Sequence, residues 1–140
     1  MIRTARAVQA MAILLLTASA APIAAETAVS PDMFGIWTNP RGTVKVQTRD
    51  CDGRLCGHIV WAAPEAVADA RESGVPQLIG VQLLRDYRAI EAGRWQGQVY
   101  VPDMGRSFSS TIRRINANSL KISGCVLGGW ICKSQVWQRD

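Results

Sequence analysis

From residue 34 onward, apolar and polar side chains alternate in short runs broken by turn-forming residues. Residues 43–49 set Val44 and Val46 on one face against Lys45, Gln47 and Arg49 on the other. Residues 55–61 set Leu55, Ile59 and Trp61 against Cys56, His58 and Val60. A period of two is the pattern of a half-buried strand. Further strand-like runs cover 34–38, 77–88, 95–101, 107–115, 120–125 and 131–138. Between them stand Asn39-Pro40-Arg41-Gly42, Asp52-Gly53, Glu91-Ala92-Gly93, Pro102-Asp103-Met104-Gly105, Asn116-Ala117-Asn118 and Gly128-Gly129. Eight short strands on tight connections predict an antiparallel sandwich or barrel.

One segment breaks this pattern. Residues 64–72 predict a short helix, with Pro64 in its first turn and Gly74 just past its end. Ala63, Ala66, Val67 and Ala70 share one face, mostly of Ala, so its docking area is small. Such a connection is either a plain surface crossing or a lid over an open barrel end.

The first 25 residues follow a different logic. Arg3 and Arg6 precede an apolar stretch centred on Ile13-Leu14-Leu15-Leu16, and small residues follow up to Ala25. This is the three-part pattern of a secretory signal peptide, with cleavage expected after Ala20 or Ala25. The apolar stretch is roughly half the ~20 residues of a membrane span. Residues 26–140 then form one small domain, expected in the periplasm or outside the cell and not spanning the membrane once processed. Processing removes two arginines and no acid, which lowers the net charge from +5 to +3. The mature chain keeps all five Trp, two Tyr and two Phe, heavy use of side chains that fill cores and ligand pockets.

The four cysteines agree with export, because an oxidising compartment favours disulfides. Cys51–Cys56 and Cys125–Cys132 are the preferred pairs, each flanking its own turn. A two-residue turn at Gly128-Gly129 sets Cys125 opposite Cys132 as a hydrogen-bonded pair with Cα atoms ~5.5 Å apart. A four-Cys zinc site fits less well, since the spacings are Cys-x4-Cys and Cys-x6-Cys, wider than zinc knuckles use. No cofactor motif is present, and a lone His rules out sites with two His ligands.

Several pieces together resemble a bacterial family of unknown function, the one numbered 2147. They are Gly35-x-Trp37, Leu55-Cys56-Gly57-x-Ile59-Val60-Trp61, Leu78-Ile79-Gly80-x-x-Leu83-Leu84, Trp95-x-Gly97-x-Val99-Tyr100-x-Pro102-Asp103-x-Gly105, Ser107-Phe108-Ser109, Leu120-x-Ile122-x-Gly124-Cys125 and Trp137-x-Arg139. The chain departs from the family pattern at 64–72, where an Asn-Pro-Asp-rich linker is usual, and at His58, where Lys is more usual. The resemblance implies a small exported β domain and no particular activity. More loosely, the chain resembles lipocalin-like barrels, which carry Gly-x-Trp on the first strand after a short helical turn and an Arg on the last. That resemblance implies an eight-stranded antiparallel barrel; the helix read at 64–72 then lies between strands 3 and 4. Its seam would be closed by Gly35, Trp37 and Arg139, with the guanidinium over the indole.

Candidate chemistry is sparse. His58 is the single imidazole; Ser107, Ser109 or Ser110 with Asp103 or Asp86 could complete a triad only without any nucleophile motif, so no catalytic role is assigned. Asp103 and Gly105 suit a turn. The basic residues are scattered, and the adjacent pair Arg113-Arg114 points to opposite faces of its strand. With export, this disfavours nucleic acid as a partner and leaves an acidic ligand or anionic envelope material. The expected function is binding of a small apolar or acidic amphiphile, with Trp61, Trp95, Tyr100 and Phe108 as lining candidates. The alternative is a fully packed structural or interaction domain of the cell envelope.

Overall fold

The computed structural model describes residues 29–140, with Val126 and Leu127 described by backbone alone. The expected signal peptide and both cleavage positions lie outside the described residues. Eight antiparallel strands follow one another: β1 (Gly35–Thr38), β2 (Val44–Cys51), β3 (Arg54–Ala62), β4 (Gln82–Glu91), β5 (Arg94–Val101), β6 (Arg106–Asn116), β7 (Ser119–Val126) and β8 (Ile131–Arg139). Each pairs with its neighbour in sequence, and β1 pairs with β8, so the sheet closes into a barrel. One helix, α1 (Pro64–Glu72), lies between β3 and β4.

Turn chemistry sets the hairpins. The Asn39 side-chain carbonyl accepts from Thr43 N at 2.8 Å and Val44 N at 3.0 Å, which closes the β1–β2 turn. Pro64 opens α1, and Gly74, at a φ of 87° that disfavours any side chain, carries the chain out of it. Strand β4 begins at Gln82 and not at residue 77, because Leu78 to Val81 close a tight turn, with Val81 N donating to Leu78 O at 3.1 Å.

The lower end is closed. A 3-10 turn over Pro31–Met33 buries Met33 beneath the barrel, and Trp37 Nε1 donates to Thr48 Oγ1 at 3.0 Å. Thr48 in turn donates to the Met33 carbonyl. Inward positions on every strand fill the lower half: Trp37, Val46, Leu55, Tyr87, Trp95, Ile112, Leu120 and Trp137 are all buried. Burial of this apolar set is the main force holding the barrel. Ala70 on α1 is fully buried and joins Leu78 in the same apolar core, and Ser73 Oγ donates to the Asp103 carbonyl at 2.8 Å. The helix therefore seats on the upper end and ties the β3–β4 crossing to the β5–β6 turn.

Both expected disulfides are present. Cys51–Cys56 spans the β2–β3 turn, and Cys125–Cys132 links β7 to β8. The second pair has the expected register, Cys125 opposite Cys132, but is the other kind of cross-strand pair. Residues 127–130 connect the strands, rather than Gly128-Gly129 alone, so Cys125 and Cys132 sit directly opposite with Cα atoms 4.0 Å apart. That is the closer, non-hydrogen-bonded kind of cross-strand pair.

Candidate functional site

Alternation along β5 to β8, anchored by buried Trp95, Ile112, Ile122 and Trp137, fixes which residues face the barrel axis. One step above this layer, the register lines up Gly97, Ser110, Gly124 and Lys133 on four neighbouring strands. Three of the four carry little or no side chain. At Gly97 the space is taken: a Cβ there would lie 2.7 Å from Tyr87 Cγ. At Gly57, across the barrel, Val46 and Leu84 fill it in the same way, at 2.7 and 2.9 Å. Gly124 differs. Among the described residues a Cβ on it would meet nothing nearer than Ser109 O and Val99 Cγ1, both at 3.7 Å, an ordinary contact distance. Among the described residues the interior is thus packed to the axis on the β3–β4 side and less tightly at Gly124 on the β6–β8 side, and this looser place is called the recess below.

The recess faces upward. Its next inward pair is Val99 and Phe108, both half-buried. On β8 the inward positions Lys133 and Gln135 are exposed, so this side of the upper end meets solvent. The seam beside it is short: β8 pairs with β1 at Trp37–Arg139 and Thr38–Gln138, while β8 itself begins at Ile131.

At its floor lie polar groups without partners. Among the described residues Tyr87 Oη and Ser110 Oγ are buried and make no well-formed hydrogen bond, and neither does Trp95 Nε1. Burial raises the Tyr87 pKa far above its ordinary value, opposed only in part by the Ser110 hydroxyl beside it. Tyr87 therefore stays protonated and able to donate. Buried polar groups are normally satisfied, and even if one of these neighbouring hydroxyls donates to the other, one O–H is left to donate to a further acceptor.

The aromatic lining candidates separate by face. Phe108 borders the recess, and Trp95 is buried in the packed layer beneath it. Tyr100 lies on the outer wall under the Arg85 guanidinium, 4.5 Å from its ring centre. Trp61 is also outside, 43% exposed, with Lys45 Nζ 5.8 Å from its ring centre. The expectation that Trp61 shares a face with Leu55 and Ile59 fails at a β-bulge. Val46 opposes Ile59 but Lys45 opposes Trp61, so Val60 is the extra residue and Trp61 turns outward.

The closure residues meet at the lower end. Arg139 lies 4.2 Å from the Trp37 ring centre and donates to the Phe34 carbonyl at 2.8 Å and to the Ala117 carbonyl at 2.8 Å. Gly35 permits this, since a Cβ there would collide with Arg139 Nη1.

His58 is half-buried on the outer face of β3, opposite Gln47 and Gln82. Burial and the Arg49 guanidinium hold its pKa below the usual 6.5. Ser107 and Ser109 face outward on β6, on the far side of the sheet from Ser110. Among the described residues no group of three His, Cys, Asp or Glu side chains could hold a metal ion.

The family model described as an uncharacterized protein conserved in bacteria, DUF2147, matches residues 35–139. The chain belongs to the DUF2147 family. No curated protein matches it. Among solved structures it is similar to protein HP1028 from Helicobacter pylori, described as belonging to the lipocalin family. That match has a TM-score of 0.56 at 15% identity, covering 76% of this chain and 81% of the other. DUF2147 here has a lipocalin-like barrel: one end shut by a 3-10 turn, and the first and last strands joined where Trp37 meets Arg139. Two disulfides suit an oxidising compartment. Among the described residues no helix is long and apolar enough to cross a membrane.

Two features of this arrangement escaped the sequence pattern. The Gly97–Ser110–Gly124 row exists only through strand register. So does the alignment of Arg94, Arg113 and Lys121 on the outer wall, which gathers basic residues that look scattered in sequence.

Proposed function

We propose that this DUF2147 protein is an exported binder of a small acidic amphiphile, taken into the recess at Gly124. The observation that carries the reading is the floor. Tyr87 and Ser110 offer two buried hydroxyls without good partners among the described residues, beside a glycine where a Cβ would touch Val99 only at ordinary van der Waals distance. A ligand carboxyl or carbonyl oxygen there would accept the hydrogen bonds that the protein leaves unmade. Lys133, in the same register row, supplies a positive charge at the rim, and Val99 and Phe108 supply apolar wall for a short chain. The packed lower barrel limits the ligand to a small one. The two disulfides support action in the periplasm or outside the cell. A binder suits the site better than an enzyme does, because the single imidazole, His58, lies on the outer face away from the recess.

Displacement of a fluorescent fatty-acid probe tests this, with wild type compared to Gly124→Leu. A Cβ fits at Gly124 at ordinary contact distance, and the melting temperature of the variant, measured beside wild type, checks that the larger side chain fills the recess without unfolding the barrel. Wild type should bind the probe and release it to short-chain fatty acids, and the variant should bind at least about tenfold more weakly. No probe binding by wild type, or equal binding by the variant, overturns the proposal and leaves a packed interaction domain.

A further inference from the structure

The outer wall carries a row of like charges that register, not sequence, brings together. Arg94 on β5 is directly opposite Arg113 on β6, and Arg113 is directly opposite Lys121 on β7. All three are exposed. Directly opposed side chains on one sheet face have Cβ atoms ~5 Å apart, and like charges there destabilise the pair. A single carboxylate offsets the row: Glu91 Oε1, 3.2 Å from Arg94 Nη1. Neither Arg113 nor Lys121 has an ion-pair partner among the described residues. Arg114, which borders the same place, is already engaged by Asp32 at 2.8 Å.

The row is not a flat patch. It lines a groove of about 460 Å³ whose wall also includes Thr111 and Ser123, the cross-strand pair one step above Arg113 and Lys121. Thr111 can donate, and Ser123 can do so when Ser134 Oγ, 2.9 Å away, supplies the proton of their shared bond, so the groove presents two guanidinium forks, an ammonium and two hydroxyls. Three cations against one carboxylate leave two positive charges unmatched.

We propose that this groove is an anion site for a phosphoryl group, held by Arg94, Arg113 and Lys121. The chemistry fits for three reasons. A phosphate monoester carries about −1.5 to −2 charges near neutral pH, which matches the unmatched charge. Its three oxygens can take a guanidinium fork, an ammonium and a hydroxyl at once. The repulsion built into the empty row is relieved when the anion sits between the cations. The group can arrive as free phosphate or as the phosphomonoester headgroup of a phosphatidic acid; the recognition is the same. This site is on the outer face of the sheet and is independent of the recess at Gly124.

Titration with inorganic phosphate, followed by the arginine Nε–H resonances and the melting temperature, tests the site. Wild type should show saturable shifts at Arg94 and Arg113 and a higher melting temperature with phosphate than with chloride at equal ionic strength. The double variant Arg113→Gln, Lys121→Gln should lose about tenfold or more in phosphate affinity. Without phosphate it should melt at or above wild type, since it removes the repulsion. A purely structural role predicts the reverse, a lower melting temperature and no change in phosphate response. Flotation with vesicles containing phosphatidic acid, whose headgroup is a phosphomonoester, separates the sources. Vesicle binding that the double variant loses assigns a lipid headgroup, while phosphate binding without vesicle binding assigns a soluble phosphoryl compound. An equal response to chloride, unsaturable shifts, or undiminished phosphate binding by the double variant would sink the proposal.

Discussion

The Arg139 guanidinium lies 4.2 Å from the ring centre of Trp37 and, through Nη1, donates to the Phe34 carbonyl at 2.8 Å. One side chain thereby joins the last strand to the first and to the turn that floors the barrel. Arg139→Ala should cost about 2–4 kcal/mol, from the lost cation–π contact and carbonyl bonds. Arg139→Lys should recover less than half of that, because an ammonium cannot fork between carbonyls. Gly35→Ala should be destabilising through the same arginine, which its Cβ would displace. Urea midpoints measure all three. An Arg139→Ala protein as stable as wild type would show that this contact does not hold the seam.

The two disulfides close short loops, so each should contribute about 2 kcal/mol. Replacing Cys51 and Cys56 together by Ser, or Cys125 and Cys132 together, should lower the urea midpoint by a similar small amount without loss of the barrel. Thiol counting on the denatured, unreduced wild type should find no free thiol. Four free thiols would contradict both bridges.

His58 makes stability depend on pH in a predictable direction. Its folded pKa is depressed below the unfolded value of 6.5 by burial and by Arg49. Between the two values the unfolded chain binds more protons, so stability is fully present above 6.5 and falls as pH drops through the folded pKa. The melting temperature of wild type should therefore fall more steeply below pH 6.5 than that of His58→Gln. Parallel curves for the two proteins would refute the assignment.

Trp61 and Phe108 should respond differently to truncation. Trp61→Ala removes an outer-wall side chain and should change stability by about 1 kcal/mol or less, with no effect on ligand binding. Phe108→Ala opens the wall of the recess and should weaken binding of acidic amphiphiles by about tenfold. Lys133→Gln should weaken fatty acids more than the corresponding fatty alcohols, since only the acid carries the charge it attracts. Displacement curves for the three variants decide the point; a larger binding loss in Trp61→Ala than in Phe108→Ala would place the site elsewhere.

What the sequence made legible was local. The helix at 64–72 was marked by Pro64 and Gly74, and the disulfide pairs by the turns they flank. The alternation of Val44, Val46, Leu55 and Ile59 marked the inner face. What stayed hidden depends on two strands at once. Trp61 looked inward because its own strand alternates, and only the mismatch with β2 at Lys45 and Val46 turns it out. Gly124 and Ser110 lie 14 residues apart and become a single feature only when β6 and β7 pair. Arg94, Arg113 and Lys121 are likewise collected by pairing. The start of β4 shifted because a turn bonded at Leu78 and Val81 holds residues that alternate like a strand.

A crystal structure of wild type soaked with a short-chain fatty acid tests the central claim most directly. The account predicts a carboxyl oxygen within hydrogen-bond reach of Tyr87 Oη and Ser110 Oγ, with the chain between Val99, Phe108 and Gly124. A recess holding only an ordered water, with the fatty acid absent or bound on the outer wall, would contradict it.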